Sequence, residues 1–149
     1  MKRLILLFTI FLITSCFPST DKTKRFLQSE KSNDIVILHT NDVHCGVQDS
    51  IGYDGLMLYK KQLLQKHNNV ILVDAGDHIQ GGTIGQITSG ESIIDIMNEL
   101  EYDVVTLGNH EFDYGIEQLE TIKNKLNCEY ISSNYCYKKI RNQYILHIK

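Results

Sequence analysis

Several things are missing from this chain, and each absence narrows what it can be. There is no basic surplus: 15 Lys and Arg stand against 18 Asp and Glu, for a formal net charge of −3. Setting aside Lys2 and Arg3 takes the charge to −5. Nucleic-acid binding draws on a basic face and is not expected. A small anionic substrate remains possible, because bound metal ions can supply local positive charge. The apolar stretch from Leu4 to Ile13 is shorter than the roughly 20 residues a spanning helix needs. There is one proline, Pro18, no internal repeat and no low-complexity block. Gly81, Gly82 and Gly85 form a glycine cluster, but it lacks the lysine and spacing of a phosphate loop and reads as a flexible turn.

The N-terminus carries more information. Lys2 and Arg3 precede the short apolar run, which ends in Ile13-Thr14-Ser15-Cys16. This resembles a bacterial lipobox, in which the cysteine is lipidated and becomes the new N-terminus. The resemblance implies a lipid anchor at Cys16 and a place in the cell envelope, on the periplasmic or surface side of a bacterial membrane. Several acyl chains on one residue hold a protein there stably, where one does not. A plain secretory leader or a short membrane anchor is the alternative. Residues 1–16 are thus a targeting segment. Residues 17–33, rich in Ser, Thr, Asp and Lys without apolar period, read as a tether. The folded part is 34–149. With Cys16 set aside, Cys45, Cys128 and Cys136 allow at most one internal bridge. Cys128 with Cys136 is the more plausible pair, against an equal reading of three buried thiols.

From Asp34 onward short apolar runs alternate with helical periods. Ile35-Val36-Ile37-Leu38 is a β-branched-rich run expected of a strand buried on both faces. Leu56, Tyr59 and Leu63 predict a helix over about 55–67. Val70 to Val73 is a second strand, and Ile93, Ile94, Met97 and Leu100 mark a second helix. Val104 to Leu107 is a third strand. Ile116, Leu119, Ile122 and Leu126 give a third helix, followed by a short strand at Tyr130-Ile131. Tyr144 to Ile148 starts another, and Tyr135 and Tyr137 read as packing or hairpin residues. This rhythm predicts an α/β fold with a mainly parallel sheet.

Three polar clusters directly follow apolar strands. They are His39-Thr40-Asn41-Asp42-Val43-His44, Asp74-Ala75-Gly76-Asp77 and Gly108-Asn109-His110-Glu111. The carboxyl ends of parallel strands line one edge of a sheet, where ligands bind, so clusters distant in sequence converge there. Asp42 and His44 are two apart, which in extended backbone points both side chains the same way. Asp77 follows a glycine that permits a tight turn. Carboxylate, imidazole and amide oxygen together suit Mn, Fe or Zn.

These blocks resemble the first three of the calcineurin-like metallophosphoesterases, and the surrounding residues narrow the resemblance to the bacterial 5'-nucleotidase branch. Ile37 to His44, Asp74 to Asp77 with Gly81, and Leu107-Gly108-Asn109-His110-Glu111-Phe112-Asp113-Tyr114-Gly115 carry it. It covers roughly Asp34 to Asn134. It implies the first half of a metallophosphoesterase β-sandwich flanked by helices in four layers (αββα). It also implies two divalent metal ions: Asp42 and His44 on the first, Asp77 bridging both, Asn109 on the second. His110 would stabilise phosphoryl oxygens or the leaving group, with Asp113 orienting its ring. The alternative for Asp113 is a cap on the following helix. Glu111 is either structural or a support to the ligands, and His39, Asp74 and His78 are expected to be structural. The implied reaction is hydrolysis of nucleoside monophosphates or related phosphate esters by a metal-activated water.

The family pattern continues with two more histidine motifs and a domain that stacks the base. After His110 this chain offers His147 alone, within an apolar strand. The expectation is therefore a truncated, inactive fragment of a nucleotidase. A 2',3'-cyclic-nucleotide phosphodiesterase or another metallophosphoesterase is the alternative among enzymes, and a non-catalytic surface lipoprotein the alternative outside them.

Overall fold

A computed structural model describes the backbone of residues 30–140 and 143–148, and side chains up to residue 135. The targeting segment, Cys16, nearly all of the tether and the side chains of Cys136 and His147 lie outside the described residues. The chain order is β1 (Ser32–Thr40), α1 (Gly52–Lys66), β2 (His67–Asp74), α2 (Thr83–Thr88), α3 (Glu91–Glu99), β3 (Val104–Thr106), α4 (Ile116–Lys125), β4 (Glu129–Ile131), β5 (Tyr135–Ile140) and β6 (Gln143–Ile148). A single 3-10 turn, His110–Phe112, sits between β3 and α4.

Strands β1 to β4 form one sheet in the order β1-β2-β3-β4, every neighbour parallel. An order that follows the chain takes every crossover in the same direction. Right-handed crossovers then stack the helices on one face. Burial agrees with that geometry. Leu38, Leu72, Val105 and Tyr130 point into the helical layer, and the core there includes Ile79, Ile93, Ile94, Met97 and Ile122. The alternate residues point the other way, and Ile35, Ile37 and Ile131 are more than half exposed. This corrects the expectation of a first strand buried on both faces. A β-branched run reads the same whether one face is covered or two. Of the four expected layers, the described residues form one sheet and its helices. The β5–β6 hairpin is a separate antiparallel pair.

Two further corrections concern short segments. The glycine cluster is a turn only in part: Gly81 and Gly82 lie in the bend before α2, Gly82 being its N-cap, whereas Gly85 lies within the helix, buried against Cys45. The tether's last residues, from Ser32, already belong to β1. Cys128 carries a free thiol; the expected pairing with Cys136 falls on a side chain outside the described residues.

One buried charge fixes the helical layer near its far edge. Lys60 of α1 donates from Nζ to the carbonyls of Leu100 at 2.8 Å and Glu101 at 2.6 Å. These carbonyls lie at the C-terminus of α3, where a cation meets unpaired acceptors and the negative end of the helix dipole.

Candidate metal centre

The parallel ladder between β1 and β2 continues past the strands. Ala75 N–H donates to Thr40 O, Asp42 N–H to Gly76 O, His44 N–H to Asp77 O and Cys45 N–H to His78 O, at 2.9–3.1 Å. The first and second loops are thus knit backbone to backbone. That knitting is achieved in turns rather than in extended chain: Asp42, His44, Cys45 and Asp77 all have φ between 48° and 60°. Left-handed backbone at residues other than glycine is unfavourable by about 1–2 kcal/mol each and persists where surrounding contacts impose it. The expectation that Asp42 and His44 share a side through extended backbone is therefore corrected. They approach through a turn, with Asp42 Oδ1 3.7 Å from His44 Nε2.

The third loop joins the second through side-chain acceptors. Asp77 Oδ1 accepts the His110 backbone N–H at 2.7 Å. The Glu111 carboxylate accepts N–H groups from both loops. Glycine at both positions permits this close approach: a Cβ at Gly76 would strike the backbone of Gly108, and one at Gly108 would strike the Asp77 carboxylate.

The outcome is a compact donor set. Ligand atoms of His44, Asp77 and His110 all lie within 4.8 Å of one another. The two imidazoles meet edge to face, with centroids 5.0 Å apart. His44 Nδ1 lies 3.1 Å from Gln80 O. A neutral ring donating there keeps the lone pair of Nε2 free for a cation. Asp77 is buried, whereas His44 and His110 are partly open to solvent. Two imidazoles and a carboxylate, gathered at one strand-end cleft, fit a divalent transition ion by both donor type and spacing.

The structure distributes the expected residues unevenly around this set. His44 and Asp77 are in it. His110, expected beside the metals, stands within the same cluster. Asp42 is at its rim, half exposed, with Asn41 Nδ2 donating to its other oxygen. Asn109 begins the 3-10 turn and is exposed. Asp113 Oδ2 accepts from His110 Nδ1 at 2.7 Å. Helix α4 starts after Gly115 with no side-chain cap, so Asp113 sits on the His110 ring rather than on the helix end.

That hydrogen bond raises the His110 pKa above 6.5. Burial opposes the rise, and the charges of Asp113, Asp77 and Glu111 add to it. A raised folded-state value means that the pair's contribution to stability is complete below the ordinary imidazole range. It is lost as pH climbs through the folded value. In metal-free protein Asp113→Asn moves the His110 titration midpoint down towards the ordinary imidazole range, as followed by the ring C–H resonances. A midpoint unmoved by the substitution would show that the pair does not form in solution.

Behind the site lies a buried polar row. Thr40 Oγ1 donates to Asp74 Oδ2 at 2.5 Å, and lies 2.9 Å from Tyr102 Oη. Asp74 Oδ1 accepts from Gly76 N–H at 2.8 Å and from His78 Nδ1 at 2.7 Å. His78 Nε2 meets Tyr130 Oη at 2.7 Å. Burial holds the Tyr130 phenol well above its usual pKa, so it is the donor to the ring. Asp74 and His78 thus have structural roles, as their sequence context suggests. Tyr102 and Tyr130 had no signal of their own, since they lie far along the chain from the loops they support.

A parallel sheet with helices on one face and a two-histidine, one-aspartate cluster at its strand ends defines an α/β protein with a candidate metal site. Comparison with known proteins makes this specific. The family model of the calcineurin-like phosphoesterases matches residues 35–146, and the chain belongs to that family of phosphoric ester hydrolases. It is 37% identical to the snake venom 5'-nucleotidase of Crotalus adamanteus, over 69% of this chain and 20% of that protein. It is 42% identical to the trifunctional nucleotide phosphoesterase YfkN of Bacillus subtilis, over 58% of this chain and 8% of that one. Among solved structures, the NAD nucleotidase NadN of Haemophilus influenzae superposes with a TM-score of 0.62 at 25% identity, covering 75% of this chain and 25% of that one. The chain spans about a fifth of the length of the snake venom relative.

Proposed function

We propose that this site serves a 5'-nucleotidase, hydrolysing nucleoside monophosphates to nucleoside and phosphate. The observation that carries the reading is the joining of His44, Asp77 and His110 within 4.8 Å, in a chain whose relatives include 5'-nucleotidases from snakes and mammals. His44 and Asp77 would hold divalent metal, with Asp42 and Asn109 at the rim available to complete a pair of sites. Such ions polarise a phosphoryl oxygen and lower the pKa of water at neutral pH. The chain's own part is to orient. Asp77 holds the His110 backbone through its N–H, and Asp113 fixes the His110 ring, so an N–H of a protonated imidazole stays at the cleft beside a phosphoryl or leaving-group oxygen. The net negative charge of the chain leaves attraction of an anionic ester to the bound cations. The leader-like start supports a lipid-anchored protein of the cell envelope, with Cys16 as the attachment point.

The test is phosphate release from adenosine 5'-monophosphate with Mn²⁺, before and after chelation. It is run on the 149-residue chain and on the longest product of its gene. Release that is lost on chelation and restored by metal is the expected result for the longest product, with much less from the shorter chain. Absence of chelator-sensitive release from both would contradict the proposal. A 2',3'-cyclic nucleotide belongs in the same assay, because one relative is named a trifunctional nucleotide phosphoesterase. Preference for the cyclic ester would transfer the function to phosphodiester hydrolysis.

A further inference from the structure

Glu111 is completely buried, and among the described residues no Lys or Arg pairs with it; the His78 ring is near, with Nδ1 3.5 Å from Oε1. Its acceptors are filled by backbone instead. Oε2 takes the N–H of Asp77 at 2.8 Å and the N–H of Gly108 at 2.6 Å. Oε1 takes the N–H of His78 at 2.9 Å. One oxygen therefore bonds simultaneously to the loop after β2 and the loop after β3. Charge-assisted hydrogen bonds of this kind are the strong ones, and burial strengthens them further.

We propose that Glu111 is a positioning residue: it staples the Asp77 loop to the His110 loop and sets the spacing of these two side chains before a metal arrives. The inference rests on the metal reading of the site. Three observations beyond the hydrogen bonds support it. Asp77 keeps a left-handed backbone, φ 60°, on a buried residue that has no glycine's freedom, so something must hold it. The two loops touch backbone to backbone at Gly76 and Gly108, and two carboxylates link them there: Asp77 to the His110 N–H, and Glu111 to N–H groups of both loops. The third partner, the His78 N–H, belongs to a residue whose ring is itself fixed between Asp74 and Tyr130. The staple is thus anchored to the sheet rather than floating with the loops.

The test compares wild type, Glu111→Met and Glu111→Gln in the full chain, reading Co²⁺ affinity and the shape of the visible spectrum alongside thermal unfolding. Methionine fills the space without an acceptor. Glutamine keeps one oxygen able to join Asp77 and Gly108, but turns a donor towards His78. The expected order of affinity is wild type, then Gln, then Met. The Met variant should bind roughly ten- to hundredfold more weakly, the range typical of residues that orient metal ligands, with an altered spectrum that Gln largely restores. A folded Met variant with wild-type affinity and spectrum overturns the proposal. Should Met fail to fold, amide hydrogen exchange of the metal-free wild type decides. Slow, joint exchange at Asp77, His78 and Gly108 supports the staple, and fast exchange that slows only on adding metal overturns it. A wild-type chain that takes up no Co²⁺ removes the metal reading and the proposal with it. That failure is recognisable because it needs no substitution.

Discussion

Asp77→Asn should weaken divalent-metal binding by more than about hundredfold, beyond the ten- to hundredfold usual for residues that only orient ligands. Asp77 is buried, at 8% exposure, at the centre of the cluster, and it is the single carboxylate among the three closest donors. Replacing it leaves two imidazoles and removes the negative charge that offsets the ion's own. The fold should persist, for two reasons. Asparagine retains an oxygen that can accept the His110 N–H now bound at 2.7 Å. It is also among the few side chains that tolerate left-handed backbone, which position 77 adopts. The expected pair of results is an unchanged circular dichroism spectrum with metal binding lost in a Co²⁺ or Mn²⁺ titration. Retained affinity would move the metal away from Asp77.

Asp74→Ala should produce the opposite pattern, a large loss of stability at a residue outside the donor set. Its carboxylate, 3% exposed, accepts from Thr40 Oγ1, Gly76 N–H and His78 Nδ1. Removing it strands those donors in a site that water does not reach. Each buried unsatisfied group costs about 1–3 kcal/mol, and breaking one side of a buried charged network about 3–5 kcal/mol. Thr40 retains Tyr102 as a neighbour, so the expected total lies near 4 kcal/mol. That is a large share of the 5–15 kcal/mol typical of a whole domain. Asp74→Asn, which keeps one acceptor, should lose clearly less. Chemical denaturation of the three proteins measures the series. A loss below about 1 kcal/mol for Asp74→Ala would show that water replaces the missing acceptor.

The strands and the ligand-bearing loops were legible in the sequence because they depend on local pattern. Val70 to Val73 and Val104 to Thr106 are β-branched runs, and each is followed at once by its polar cluster. Parallel pairing then places those clusters along one edge, without any need to know the contacts. Asp113 was ambiguous because a carboxylate just before a helix fits a cap and a ring partner equally. Only the position of the His110 ring, 2.7 Å away, separates the two. Glu111 was opaque for a related reason. Its hydrogen bonds to Asp77 and His78 run over 34 and 33 residues, and nothing in the local sequence announces an acceptor for distant backbone. The left-handed turns at Asp42 and His44 were missed because alternation assumes extended chain. Here the two loops are bonded to one another beyond the strand ends, and that pairing sets the dihedrals. The exposure of one sheet face among the described residues could not be foreseen either, since Ile35 and Ile37 carry the same apolar character as Leu38 and Leu72, which pair across the ladder and face the helices.

The most direct test of the site is a crystal of the chain soaked in Mn²⁺ and measured for anomalous scattering. The account predicts a peak about 2.0–2.3 Å from His44 and Asp77, at the carboxyl ends of β1 and β2. A Mn²⁺-soaked crystal with an ordered, vacant cleft, or with its ion bound elsewhere, would contradict it.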